Sequence, residues 1–165
     1  MESLYALISR GIKNSSKSIS PGCIFFIFFI FKIFNDNHCC PIKVQIYSTE
    51  NVFSKGNEKL LLCERGIRTF ETAYRNTFDI NAIQVLKAKS NLPVIADPSH
   101  GVGIRNYVAK LALASLISGA DGIIYEVHEK PEEAISDGQQ TLNFFESDKL
   151  NADIFKLTNS GHLKS

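Results

Sequence analysis

The sequence predicts an α/β fold built on a parallel sheet, with three strands of the kind that line an α/β barrel. Two observations carry this. Three short apolar runs each end in chemically able residues: Lys59-Leu-Leu-Leu-Cys-Glu-Arg-Gly66, Leu92-Pro-Val-Ile-Ala-Asp-Pro-Ser-His100 and Asp121-Gly-Ile-Ile-Tyr-Glu-Val-His128. These runs alternate with stretches of helical periodicity, which argues parallel strands joined by helical crossovers. Reactive side chains at the C-terminal ends of successive apolar strands are how an α/β barrel builds an active site. A closed barrel of this type takes eight strands, and only three are legible here.

Each element has its own signal. The first strand is expected over Lys59–Glu64, followed by a polar loop through Thr77. Asp79 can cap a helix that carries Ile80, Ile83 and Leu86 on one stripe and ends near Ser90 and Asn91. The second strand is expected over Pro93–Asp97. A glycine-bearing loop, Gly101-Val-Gly103, then leads into a helix from about Asn106 to Ser118. Leu111, Ala112, Ala114, Ser115 and Ile117 allow that helix to pack closely, and Gly119 suits the position just past its end. The third strand is expected over Asp121–Val127, then a short helical turn near Pro131–Ile135, then an amphipathic helix over roughly Ser147–Leu157.

The composition breaks near residue 50. From Ile24 to Phe34 the chain reads Ile-Phe-Phe-Ile-Phe-Phe-Ile-Phe-Lys-Ile-Phe and holds half of the 12 phenylalanines. The run is too short to span a bilayer as a helix, which takes about 20 apolar residues. No A-x-A-like cleavage site follows it, as a signal peptide would require. It has neither helical nor strand periodicity. Translated T-rich DNA gives such a pattern, so residues 1–48 are expected to lie outside the fold, residues 49–157 to form the barrel portion and residues 158–165 a tail. At 165 residues the chain is one domain at most.

A formal charge of +1 with 21% charged residues gives no basic stripe for nucleic acid. The adjacent Cys39 and Cys40 lack the C-x-x-C spacing of a zinc or redox site, despite His38 beside them. Cys63 lies within an apolar strand and reads as a buried, reduced thiol, and Cys23 has no partner pattern. Nothing implies an oxidising compartment, and a cytoplasmic location is the expectation.

The strand ends present Glu64, Arg65, Asp97, His100, Glu126 and His128, with Asp137 in the loop beyond. Imidazole with two carboxylates suits a divalent cation such as Mn, Fe, Co or Zn, which can polarise a carbonyl. Arg65 offers a planar fork for a carboxylate or phosphate, and Arg68, Arg75 and Arg105 add positive charge that suits an anionic substrate. Asp97, Ser99 and His100 are too close in sequence for a hydrolase triad, and no G-x-S-x-G elbow is present.

Four motifs in register carry a resemblance. Cys63-Glu-Arg-Gly-Ile-Arg-Thr-Phe70, Asp97-Pro-Ser-His-Gly101, Glu126-Val-His128 and Ser136-Asp-Gly-Gln-Gln140 resemble 3-deoxy-D-arabino-heptulosonate 7-phosphate (DAHP) synthase, in the subfamily whose barrel is close to 3-deoxy-octulosonate 8-phosphate synthase. Asp-Pro-Ser-His and the Arg-Thr-Phe extension favour the DAHP enzyme. The resemblance implies the last three βα units of a TIM (β/α)8 barrel, incomplete in this chain. It implies phosphoenolpyruvate and erythrose 4-phosphate as substrates and a divalent metal as cofactor. By resemblance, His100, Glu126 and Asp137 match three of four metal ligands. Arg65 matches an arginine that holds phosphoenolpyruvate, and Asp97 and His100 belong to the catalytic residues. Assembly with further copies of the chain is left open, and a membrane is not expected as a partner.

Parts of the family pattern have no counterpart. The fourth ligand is a cysteine in Gly-Pro-Cys-Ser, for which Ser20-Pro-Gly-Cys23 has the wrong order. The Lys-Pro-Arg-Thr, Gly-Ala-Arg and Lys-Arg-Gly segments that grip the substrates are unmatched. Leu61, Val94, Ile95, Ile123 and Ile124 are expected to face a missing opposing layer. Half-exposing several such side chains, each worth about 1.5–3 kcal/mol, forfeits an amount comparable with a domain's stability. The chain alone is therefore expected to be marginally folded and inactive. The alternatives are a half-barrel partner of a split enzyme and a membrane-tethered, non-catalytic module.

Overall fold

The structure is a computed structural model that describes residues 4–9, 42–57 and 59–160. The Phe-rich run, Cys23, His38, Cys39, Cys40 and most of the expected tail lie outside the described residues. The elements are β1 (Leu4–Ser9), α1 (Ile42–Phe53), β2 (Leu62–Glu64), α2 (Ile80–Lys89), β3 (Val94–Ala96), α3 (Pro98–Val102), α4 (Arg105–Ile117), β4 (Gly122–Val127) and α5 (Phe144–Asn159), with a 3₁₀ turn at Pro131–Glu133. They form one sheet in the order β1-β4-β3-β2.

The strands β2, β3 and β4 are parallel, pairing Cys63 with Ile95 and Ala96 with Ile123. All their residues are buried, on both faces of the sheet. β1 adds an antiparallel partner to β4, from Leu4 opposite Val127 to Ser9 opposite Gly122. Neither β1 nor α1 has a sequence signal strong enough to announce it. α1 crosses residue 48, touches α2, and rests Ile42 and Ile46 on the main core.

Alternation along the strands divides the sheet into two faces. Leu62, Val94, Ala96, Ile123, Tyr125 and Val127 face the helices and pack with Ile83 and Leu86 of α2, Val108, Ala112 and Leu116 of α4, and Leu150 and Ile154 of α5. Cys63, Ile95 and Ile124, with the partly buried Leu61, form a smaller cluster on the other face. This corrects the expected inner face. Val94 and Ile123 belong to the helix side and are 0% exposed, because their parity is opposite to that of Ile95 and Ile124.

Local chemistry sets the boundaries. Asp79 caps α2 by accepting from Asn81 N, and Ser90 ends it. β2 is shorter than expected and begins where Leu62 N donates to Pro93 O at 2.8 Å. The segment expected as a glycine loop is the short helix α3, capped by Asp97 and led by Pro98, and Gly103 closes it at φ 69°. α4 begins at Arg105 and ends before Gly119, which takes φ 100°. α5 starts at Phe144, ahead of the expected Ser147, because Asn143 and Glu146 form a reciprocal capping box. Phe144 and Phe145 point outward, so the first turn lacks an apolar stripe that would mark it.

Candidate metal and substrate site

The site lies beyond the C-terminal ends of β2, β3 and β4. Continuing the alternation, Arg65, Asp97 and Glu126 fall on the face of Cys63, Ile95 and Ile124. Glu64 falls on the other, while His128, one residue past β4, shares the parity of Glu126. Asp97 ends β3 and starts α3, and both its oxygens are used. Oδ1 accepts from His100 N at 3.1 Å, while Oδ2 lies 2.8 Å from His100 Nδ1 and 3.3 Å from Arg65 Nε. α3 thus holds the imidazole in place one turn above its capping residue.

In the neutral ring the Asp97 carboxylate on Nδ1 favours the tautomer protonated there, which turns the Nε2 lone pair toward Glu126 and Asp137. Nε2 lies 3.3 Å from Glu126 Oε1 and 4.0 Å from Asp137 Oδ2. The ligand atoms of His100, Glu126 and Asp137 all lie within 4.8 Å of one another. His100 and Glu126 are buried, at 5% and 1% exposure, while Asp137 stands at the open side of the group with its side chain 31% exposed. Donors about 2.0–2.2 Å from a common ion stand within roughly 4.4 Å of each other, so the triad fits a divalent cation after a small contraction.

The loop after β4 folds back on that strand. Leu142 N donates to Glu126 O and His128 N to Leu142 O, both at 3.0 Å, which brings Asp137, Gln140 and Thr141 over the strand end. Asp137 takes φ 56°, a left-handed conformation that aspartate tolerates better than most residues. Thr141 Oγ1 secures its carbonyl at 2.9 Å. A Cβ on Gly138 would meet the backbone oxygen of Pro131, so the turn beside Asp137 admits glycine alone.

A further set of side chains holds these residues. Arg75 Nη1 donates to Asp137 Oδ1 at 2.7 Å and to Gln140 Oε1 at 2.8 Å, and Gln140 Nε2 donates to Glu126 Oε2 at 2.9 Å. Asn76 Nδ2 donates to His100 O at 2.9 Å, and Ser99 Oγ accepts from Glu126 N at 3.2 Å. Sequence reasoning missed Asn76, Ser99, Gln140 and Thr141 in these roles. It also placed Arg68, Arg75 and Arg105 in loops that suit an anionic substrate. In the structure all three bond the protein: Arg68 to Arg75 O, Arg75 as above, and Arg105 to Gly138 O. His128 stands apart from the triad and accepts from Lys130 N.

Glu64 is a buried carboxylate away from the triad. Its Oε1 accepts from Gly66 N at 2.9 Å and Asp79 N at 3.1 Å, closing the intervening loop at both ends. Burial raises its pKa to about 7 against the lowering effect of those two bonds. Cys63 is a free, buried thiol whose pKa burial pushes up, which leaves it inert.

The family model described as the DAHP synthetase I family matches residues 33–161. The chain belongs to that family. Phospho-2-dehydro-3-deoxyheptonate aldolase of Thermotoga maritima is 52% identical over 99 residues, covering 60% of this chain and 29% of that protein. 2-Dehydro-3-deoxyphosphooctonate aldolase of Syntrophobacter fumaroxidans is 37% identical over 105 residues, covering 56% of this chain and 35% of that protein. A solved structure of a truncated 3-deoxy-D-arabino-heptulosonate 7-phosphate synthase from Thermotoga maritima superposes with a TM-score of 0.73 at 45% identity, over 75% of this chain and 47% of that one. This member of the DAHP synthetase I family spans about a third of the length of the curated relatives it matches. Its three parallel βα units correspond to part of a DAHP synthase barrel. No helix among the described residues is long and apolar enough to cross a membrane.

Proposed function

We propose that this chain carries the metal-holding and phosphoenolpyruvate-holding part of a DAHP synthase active site. The family reaction condenses phosphoenolpyruvate with erythrose 4-phosphate: C3 of the enol phosphate bonds to the aldehyde carbon, water adds at C2, and phosphate leaves. The observation that carries the reading is the convergence of His100 Nε2, Glu126 Oε1 and Asp137 Oδ2 on one point. A bound Mn, Fe, Co or Zn ion supplies Lewis-acid polarisation of the aldehyde oxygen. Asp97 keeps the His100 proton on Nδ1 and fixes the ring. Arg65, partly exposed beside Asp97, presents its guanidinium to the carboxylate or phosphate of phosphoenolpyruvate.

Three protein ligands hold a catalytic ion when water completes the set, so binding does not wait on a fourth ligand. Turnover demands more, because the residues that grip erythrose 4-phosphate have no counterpart among the motifs of this chain. The isolated chain is therefore expected to bind Co2+ yet release no phosphate from the two substrates. The test combines a Co2+ titration of the chain and of His100→Ala with a phosphate-release assay. Co2+ binding that His100→Ala leaves unchanged sinks the site. Metal-dependent phosphate release by the pure chain sinks the expectation of inactivity.

A further inference from the structure

We infer that Arg75 and Gln140 are positioning residues for the cation site, a relay that decides which oxygen of Glu126 and which oxygen of Asp137 faces His100. This rests on the cation reading above.

A carboxylate has two oxygens and about four lone-pair sites, so a ligand carboxylate must be told which oxygen to present. Here one nitrogen, Arg75 Nη1, takes Asp137 Oδ1 and Gln140 Oε1 together. Gln140 passes the constraint on, donating Nε2 to Glu126 Oε2. The other oxygens, Asp137 Oδ2 and Glu126 Oε1, are the two that approach His100 Nε2. Gln140 is 2% exposed and is engaged at both ends of its amide, which fixes its orientation.

Arg75 is itself anchored. Its backbone N donates to Val102 O at 3.1 Å, its carbonyl accepts from Arg68 Nη1 at 3.0 Å, and its stem lies where a Cβ on Gly103 would sit. The next residue, Asn76, holds the His100 carbonyl. One loop, pinned at its ends by Glu64, therefore bonds Asp137 and the His100 carbonyl directly and reaches Glu126 through Gln140.

Two effects of opposite sign separate a positioning role from a merely electrostatic one. Arg75 brings a positive charge near the cation, and by Coulomb's law its removal should tighten cation binding. A positioning role predicts the reverse. Residues that orient metal ligands typically cost 10–100-fold in affinity when lost.

The experiment titrates Co2+ into the full chain and follows its visible absorption, for the unchanged protein, Arg75→Met, Arg75→Lys and Gln140→Leu. Near-UV circular dichroism reports the fold of each. The expected result is a loss of about 10–100-fold for Arg75→Met and Gln140→Leu, with an altered absorption band and partial recovery in Arg75→Lys. Should the buried Gln140→Leu fail to fold, the more exposed Arg75→Met decides alone. Binding by Arg75→Met as tight as, or tighter than, the unchanged protein overturns the relay while leaving the site standing. Absence of Co2+ binding by the unchanged protein overturns the cation reading and the relay with it.

Discussion

Arg65 and His100 converge on one oxygen of Asp97: Arg65 Nε lies 3.3 Å from Asp97 Oδ2, the same atom that lies 2.8 Å from His100 Nδ1. Two strand ends and one short helix are thereby tied at one carboxylate that is 4% exposed. The other oxygen caps α3.

Asp97→Ala removes the α3 cap and the carboxylate that Arg65 Nε and His100 Nδ1 share, so the buried Nδ1 loses that partner. The expected cost is about 1–3 kcal/mol, read from urea unfolding. Asp97→Asn keeps a good capping oxygen but turns its amide nitrogen toward the imidazole. The ring proton then moves to Nε2, facing Glu126 Oε1, and closes the position a cation would take. Nitrogen-15 shifts of His100 should report the exchanged tautomer, and Co2+ binding should disappear. Asp97→Asn binding Co2+ like the unchanged protein would show that the carboxylate does not set the tautomer.

Glu64 gives a pH dependence of defined sign. Its folded pKa of about 7 lies above the ordinary value of 4.5, so between the two the folded chain holds a proton that the unfolded chain has lost. Stability from this group is full below about pH 4.5 and falls as pH rises through about 7. A shift of this size corresponds to about 3 kcal/mol at most. Glu64→Gln, which keeps an acceptor for Gly66 N and Asp79 N, should flatten this part of the profile. The measurement is the difference in unfolding free energy between the two proteins from pH 5 to pH 8. A constant difference would mean that Glu64 does not titrate in that range.

Gly101 follows His100 directly, and a Cβ there would run into the ring of Phe78. Gly101→Ala should cost about 1–3 kcal/mol by overpacking. Because the obstacle is one side chain, Phe78→Leu should recover part of that loss in a double-mutant cycle. A purely additive cycle would place the strain in the backbone of α3 instead.

The strands and the residues at their mouths were legible because apolar runs and polar ends stand next to each other in sequence. Arg65, Asp97, His100, Glu126 and Asp137 were all singled out, and the structure draws them together. Gln140 and Asn76 were not, because an amide carries no charge or ligand signature, and its use depends on contacts 65 residues apart for Arg75 and Gln140. Asp97-Pro-Ser did contain a helix start, with a capping residue followed by proline at the first position, but the nearby glycines masked it. The two faces of the sheet were misassigned because uniformly apolar strands hide their parity. Val94 and Ile95, being adjacent in a strand, point opposite ways in any case, and the packing shows that it is Val94 that meets the helices.

Asp137 joins backbone strain to ligand geometry, and the two can be separated. A non-glycine residue at φ 56° carries of order 1 kcal/mol of strain. Asp137→Gly relieves it, but frees the unfolded chain by about 0.5–1 kcal/mol and loses a half-exposed ion pair worth about 0–1 kcal/mol. These terms nearly cancel, so stability should change by less than about 1 kcal/mol. Asp137→Val, with a β-branched side chain that resists positive φ, should cost clearly more. Both variants lose the carboxylate and should lose Co2+ binding alike. Equal stability in the two would show that the turn relaxes out of the left-handed region. A loss above about 2 kcal/mol in Asp137→Gly would make the carboxylate a structural anchor, since strain relief could no longer offset what it contributes.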